Sequence, residues 1–438
     1  MYKWVGLVGG GSVSIRGLHV VRTWNIKSAY QHLMLVRSLV FRLKDPLPND
    51  AKFLMEDFRL AVNNAIRLGV QSNVTSRFAL TKLAYKDFRK EHPCMYSQHL
   101  VSAFEVAGSI LKNHRRRLRK GLPSRVPFVR RLFMKAENQA YRLDRENGVI
   151  DLPIRAGIHI RLELIVSDYH RRYLDDESLS LGSLTLLPEK VVVTIRKRVP
   201  KPYTPESVLS LDTNERSLDG VLVKEDRVAA IVKAEFPEVS IIQSMHHEKR
   251  KRLQKKKSHD RRTAKKLCGR EGMREHHRID YRMHEVANSV LSFAEERKSM
   301  IVLEDLSEIR PRMGKSMNRR ISIWPRRKLH QIIECKAAWK GIPVVKVDPR
   351  YSSRKCPACG RIQNSRRGTE FVCACGWHID RHINASINLL QTAASMKAVG
   401  GLWFSPGAFQ HDVVMVLCGP GRAVRPEPNG TSGIRVVV

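Results

Sequence analysis

The sequence predicts an α/β protein, on two kinds of apolar pattern and the proline-rich seam between them. Between residues 206 and 393, short runs rich in β-branched residues ("VLSL", "MIVLED", "IPVVKV") alternate with helix-length amphipathic stretches. Such runs suit strands buried on both faces. Upstream, "LVRSLVFRL", "IHIRLELIV" and "VVVTIRKRV" alternate apolar and polar residues with a period of two. That period fits half-buried antiparallel strands. Pro200, Pro202 and Pro205 mark the seam.

Taken in order, residues 1–34 show no clear period and are left unassigned. The alternation of Leu35, Leu39, Phe41 and Leu43 opens a strand, and Asn49 and Asp50 then offer a helix cap. Phe58, Ala61, Ala65 and Leu68 follow a helical rhythm, and a second helix is expected over 98–120, ending in "NHRRRLRKG". Residues 49–120 are therefore a helical insertion in a small antiparallel β-domain made of 35–48 and 121–205, where Asn147-Gly148 marks a hairpin. Beyond the prolines, "VLSLDTNERSLDGVLVKEDRVAAIV" reads as three short strands joined by tight turns. A basic helical region over 245–298 carries an apolar stripe of Ile279, Met283, Val286, Val290 and Phe293. Then come a strand, a helix over 326–340 stopped by Gly341, and another strand. A three-strand meander followed by helix–strand–helix–strand is the element order of an RNase H-like domain. Residues 394–438 are rich in Gly and Pro and are expected to lack order.

Charge narrows the partners. The chain has 438 residues, with 79 Lys and Arg against 42 Asp and Glu, a net charge of +37. Self-repulsion of that size points to a polyanionic partner, with nucleic acid ahead of an anionic membrane surface. The run "HEKRKRLQKKKSHDRRTAKK" (247–266) lies inside a domain and reads as a phosphate-facing helix, with "RRRLRK" (115–120) and "RKRVPK" (196–201) as further patches. The pairs His246/His247 and His276/His277 are expected on exposed helix faces. No apolar run reaches the length of a membrane span, and "MYKWVGLVGGGSVSIRG" is a poor signal peptide, so a cytoplasmic protein is expected.

Three acids stand where buried elements emerge. Asp212 ends "VLSL", Glu304 ends "MIVL", and Asp380 opens the helix "DRHINASINLLQTAA". Brought together, three carboxylates repel unless a cation neutralises them, and two Mg²⁺ ions on such ligands can clamp a phosphoryl transfer. Taken singly, each acid is better read without function, Asp212 and Asp305 as turn formers, Glu304 as a surface residue and Asp380 as a helix cap; it is their joint placement that favours a site. Just before Asp380 stand Cys356, Cys359, Cys373 and Cys375. Four thiolates in two knuckle halves suit one tetrahedral structural Zn²⁺. The second half is Cys-x-Cys, and His378 is an alternative fourth ligand, although the paired Cys-Gly endings favour four cysteines.

The segments "SLDTNERSLDGV", "IVLEDL" and "VDPRYSSRKCPACG…FVCACGWHIDRHINASINLL" resemble the three RuvC-type motifs and embedded zinc ribbon of the TnpB family. TnpB proteins are transposon-encoded and related to the type V CRISPR effector nucleases. The resemblance is strong over about 206–393, with the ribbon at 353–378. It implies a RuvC nuclease domain preceded by a β-barrel wedge domain with a helical recognition insertion. The implied activity is RNA-guided cleavage of double-stranded DNA beside a short adjacent motif, by one metal-dependent site. Catalysis and Mg²⁺ binding then fall to Asp212, Glu304 and Asp380, and zinc binding to the four cysteines. A guide RNA and target DNA are the implied partners, with a monomer or dimer equally open. The chain departs from the family in the Cys-x-Cys half and in His382, which stands where many members have another acid or a small residue. A compact CRISPR effector, a transposase acting directly on DNA ends and a nuclease-inactive binding module are the competing readings.

Overall fold

The computed structural model describes residues 34–155, 157–255, 261–306, 325–363, 368–396, 414–417 and 425–426. The expectation for residues 1–33 and much of that for 394–438 lie outside the described residues, as does part of the basic run, 256–260. The chain divides into two compact units, one of them His32–Arg198 and the other containing Val199–Val438.

The first of these begins with β1 (Met34–Leu43) and three helices, α1 (Asn49–Gln71), α2 (Arg77–Glu91) and α3 (Ser97–Arg119). The sequence reading expected two. Leu80, Ala84 and Phe88 bury one face of α2 at i, i+4 and i+8, a stripe too narrow to stand out among its Lys and Arg. Then come β2 (Met134–Ala136), β3 (Arg142–Asp144), β4 (Val149–Arg155), β5 (Ile158–Ile165), α4 (Asp168–Leu174), β6 (Ser180–Leu187) and β7 (Lys190–Arg198). All seven strands form one antiparallel sheet in the order β2-β6-β7-β1-β5-β4-β3. β1 pairs with β7 along its length and with β5 at its end, through Arg42 and Leu43. Among the described residues, β2 and β3 are the end strands of this order. Leu39 and Phe41 face the core, the side that the period-two pattern assigns to them.

The second unit starts with β8 (Ser207–Thr213), β9 (Ser217–Lys224) and β10 (Arg227–Glu235). It continues through α5 (Glu238–Lys255), α6 (Arg261–Glu296), β11 (Ser299–Glu304), α7 (Arg326–Lys340) and β12 (Val344–Val347). The sheet order is β12-β11-β8-β9-β10, with β8, β11 and β12 parallel and the β8–β9–β10 meander antiparallel. That is the RNase H-like arrangement. Every residue of β8 and β11 is buried, because helices cover both faces. One face carries Leu209, Leu211, Ile301 and Leu303 against α6 and α7; the other carries Val208, Val221, Val223, Met300 and Val302 against α8 (Arg381–Ser395). The ribbon hairpin, β13 (Glu370–Val372) with β14 (His378–Asp380), leads directly into α8.

Two expectations need correction. Val414–Leu417 (β15), within the segment expected to lack order, extends the sheet in parallel beside β10, and Arg425–Pro426 (β16) follows it. "VVMVL" is an apolar, β-branched run, and the free edge of β10 offers it a backbone ladder. His246, expected on an exposed face, is buried, with Nδ1 2.8 Å from Glu271 Oε1 of α6. Packing of α5 on α6 turns that face inward.

His99 gives the first unit a pH-dependent element. Burial pushes its pKa down to about 4 from 6.5, against a bond between Nε2 and the Pro153 carbonyl at 2.7 Å. The folded state therefore holds a neutral ring, while the unfolded chain takes up a proton below pH 6.5. The stabilisation is complete above 6.5 and disappears as pH falls toward 4. It amounts to about 3 kcal/mol. Amides of α3 should lose hydrogen-exchange protection on going from pH 7 to pH 4.5 beyond the intrinsic rate change, and His99→Gln should remove most of that excess loss.

Candidate metal centres

Strand periodicity builds the first centre. On β8, residues 208, 210 and 212 point to the α8 face; on β11, residues 300, 302 and 304 do the same. β8 and β11 are parallel neighbours, with Leu211 opposite Leu303, so Asp212 and Glu304 leave the sheet side by side at its C-terminal edge. Both are buried, at 7% and 8% exposure. Burial, reinforced by the charge and hydrogen bond of Asp212, pushes the Glu304 carboxyl up to about 9. A backbone N–H from Thr213 and the positive charge of Arg326 oppose that only partly.

His330 of α7 holds the two strand ends from the opposite face. Its Nε2 lies 2.7 Å from Thr213 Oγ1, and the ring also hydrogen-bonds the Glu304 backbone carbonyl. Burial keeps it neutral, with a pKa of about 3. At the other end Ser207 Oγ and Ser299 Oγ are 2.6 Å apart. Both ends of the β8–β11 pair are thus tied by side chains as well as by the ladder.

The third expected acid sits differently. Asp380 is the N-cap of α8, and its Oδ1 accepts from the N–H groups of His382 at 2.8 Å and Ile383 at 3.3 Å. The side chain that α8 brings to the pair is His382, whose Nδ1 is 3.0 Å from Asp212 Oδ2. Burial works against the imidazolium, but the Asp212 bond and the charges of Asp212, Asp380 and Asp219 outweigh it and raise the pKa. The structure therefore joins Asp212, Glu304 and His382, with Asp380 next to them as the helix cap.

Asp219 was missed by the sequence reading. It is directly across from Asp212 in the β8–β9 register, on the same face of the sheet, and is 4% exposed. Oδ2 accepts from Ser217 Oγ at 2.6 Å and Asn214 Nδ2 at 2.5 Å, whereas buried Oδ1 has no protein partner among the described residues. Burial raises its pKa against those bonds and the charge of His382. The available signal was the hairpin itself, since a turn over 214–216 sets 219 opposite 212. Gly220 keeps this hairpin tight: a Cβ there would lie 2.0 Å from the Ser210 carbonyl oxygen.

A cluster of buried carboxylates, two of them with raised pKa values and one with an orphaned oxygen, fits a divalent cation. Asp212 and Glu304 would hold it, and the ion would supply charge neutralisation and an activated water.

The second centre is the ribbon. The Sγ atoms of Cys356, Cys359, Cys373 and Cys375 all lie within 4.8 Å of one another, with 3.6 Å separating Cys356 from Cys375 and Cys359 from Cys373. This donor set fits tetrahedral Zn²⁺. Gly360 (φ +75°) and Gly376 (φ +93°) close the two knuckles in the left-handed region, which suits glycine. A backbone N–H from Arg361 pulls the Cys359 thiol down to about 7, while burial pushes Cys356 up to about 12. His378 is not part of the group; its Nε2 is 3.2 Å from Glu370 Oε2 across the hairpin. α8 anchors the ribbon, with Asn388 Nδ2 donating to the carbonyls of Ser352 and Lys355 at 2.8 and 2.7 Å, and Asn384 Nδ2 to that of Lys355 at 3.0 Å.

Two measurements check these centres. Elemental analysis should find about one zinc per chain, and Cys356→Ser with Cys359→Ser should abolish it and lower the melting temperature. In metal-free buffer, Glu304→Gln should stabilise the protein. The raised carboxyl keeps its proton when folded and loses it when unfolded, so wild-type stability falls as pH climbs from 4.5 toward 9. The gain from the Gln variant should accordingly be small at pH 5 and grow toward pH 9.

Residues 327–389 match the family described as "Cas12f1-like, TNB domain", and residues 54–151 match the "Uncharacterized protein MJ0013 family". TnpB-like protein MJ0751 of Methanocaldococcus jannaschii is 26% identical over 240 residues, 53% of this chain and 86% of that protein. CRISPR-associated endodeoxyribonuclease Cas12f1 of Sulfoacidibacillus thermotolerans is 38% identical over 92 residues, 20% of this chain and 21% of that protein. Among solved structures, the mini-RNA-guided endonuclease CRISPR-Cas_phi3 shares the fold at a TM-score of 0.50 and 10% identity, over 82% of this chain and 92% of that one. With the acids, the cysteine cluster and the mixed sheet in place, the chain is similar to TnpB-like proteins and, over its C-terminal part, to type V CRISPR effector nucleases.

Proposed function

We propose that this protein is an RNA-guided DNA endonuclease of the TnpB type, cutting double-stranded DNA beside a short adjacent motif with a single RuvC-like site. The observation that carries the reading is the buried Asp212–Glu304 pair at the C-terminal edge of two parallel strands, which needs a cation to ionise fully. On this reading, 206–393 is the nuclease domain, 35–48 with 121–205 the wedge and 49–120 the recognition insertion. The ribbon is the structural zinc module, and Asp380 fixes the helix that delivers His382. Two Mg²⁺ ions are the counterions the family resemblance implies.

The residues divide the work as follows. Asp212 and Glu304 hold the cation, and Glu304 must release its proton to do so, which links binding to pH. His330 and Thr213 keep the pair in register from behind. The excess charge of +37 supports a nucleic-acid partner much longer than a few phosphates, and a guide RNA meets that need. Base pairing by the guide would then choose the sequence, with the protein reading backbone and duplex shape.

The test exchanges guides. Protein stripped of RNA should not cut duplex DNA at a defined sequence. Adding its co-purifying RNA should restore cutting, and replacing about 20 nucleotides at the guide end should move the cut to the new complement. Asp212→Ala and Glu304→Ala should each reduce cleavage by at least about 100-fold while leaving guided binding intact. Guided binding without any cleavage by the wild type would favour the inactive binding module, for which His382 in place of an acid is the supporting observation. Sequence-specific cutting without RNA would favour the direct transposase.

A further inference from the structure

We propose that His382 is a nitrogen ligand of the Asp212–Glu304 metal site, and that its mixed donor set selects a first-row transition ion such as Mn²⁺ over Mg²⁺. The inference rests on the metal-dependent nuclease reading, and it deepens that reading by naming the class of ion.

Three placements carry it. Asp380, the acid that α8 could have supplied, has Oδ1 committed to two helix N–H groups. The first side chain after that cap, His382, instead reaches Asp212 Oδ2 with Nδ1 at 3.0 Å, and its side chain is 24% exposed, at the open side of the pair. A nitrogen and an oxygen that bind one ion at adjacent positions, each about 2.1 Å from it, sit about 3 Å apart, so Nδ1 and Asp212 Oδ2 have the spacing of two ligands of a single ion. Asp219 is the independent observation: a carboxylate 96% buried, on the same face as Asp212, with Oδ1 lacking a donor among the described residues. A buried anionic oxygen with no partner costs folding energy, which a cation on that face offsets. The set is then oxygen-rich with one imidazole. Mg²⁺ favours all-oxygen shells and keeps its waters, whereas Mn²⁺ accepts carboxylates and imidazole together.

The experiment uses the full chain, zinc-loaded, with Mn²⁺ as the probe. Loss of the free Mn²⁺ electron paramagnetic resonance signal gives affinity, Mg²⁺ competition gives selectivity, and pulsed measurements report nitrogen bound to the ion. Wild type should bind Mn²⁺ at least about 10-fold more tightly than Mg²⁺ and show nitrogen modulation. His382→Asp should abolish the modulation and bring the two affinities together. His382→Gln should abolish it and weaken Mn²⁺ binding, and Asp219→Asn should weaken binding while keeping it. Zinc content and circular dichroism establish that each variant is folded. Mn²⁺ bound without nitrogen modulation in the wild type, modulation that survives His382→Asp, or no Mn²⁺ binding at all would each overturn the proposal. Guide-directed cleavage is scored separately. Cleavage without nitrogen modulation sinks only the ligand assignment, whereas nitrogen modulation without cleavage supports the ligand and sinks the nuclease reading.

Discussion

Two carboxylates forced together inside a protein are the constraint on which this site depends. Asp212 and Glu304 emerge from adjacent parallel strands, each buried, and burial followed by the neighbouring Asp212 charge pushes the Glu304 carboxyl up to about 9. A fold optimised only for stability would place apolar or singly charged residues there. The features around the pair hold it in position: His330 and Thr213 behind it, the paired serines at the far end of the same strands, and the glycine-tight β8–β9 hairpin beside it. The cost is sustained because the strands that carry the acids are covered on both faces and cannot splay.

The same sheet decides which side chains join the pair. A period of two sends residues 208, 210 and 212 of β8 and 300, 302 and 304 of β11 to the α8 face, and antiparallel pairing adds Asp219. What crosses from the helix depends on one residue. Asp380 caps α8 and so spends an oxygen on backbone amides, leaving His382 to reach Asp212.

Ribbon and site are mechanically continuous. The second knuckle leads through β14 into Asp380, and α8 returns hydrogen bonds from Asn384 and Asn388 to the chain just before the first knuckle. Trp377 Nε1 donates to Asn384 Oδ1 at 3.1 Å, closing the circuit. An ion held by the four thiolates would therefore stiffen the start of the helix that positions His382. A ribbon placed here helps to set the geometry of the carboxylate site as well as its own fold.

The sequence by itself determined the parts that rest on local chemistry. Periodicity separated the half-buried strands of the first unit from the fully buried strands of the second. Cysteine spacing identified the thiolate cluster, and acids at the ends of apolar runs marked Asp212 and Glu304. Each of these is encoded within a few residues. It could not determine what depends on contacts between distant segments. The buried face of α2 and the inward turn of His246 depend on neighbouring helices, and β15 depends on a free edge more than 180 residues upstream, since Ile231 pairs with Val414. The strand order of the first sheet was decided by which strands met. Asp219 entered the site through a cross-strand register that no motif spells out. Which of Asp380 and His382 meets the helix amides and which meets Asp212 was decided by tertiary structure: the residues are two apart in sequence, and only the start of a helix packed against β8 places each of them.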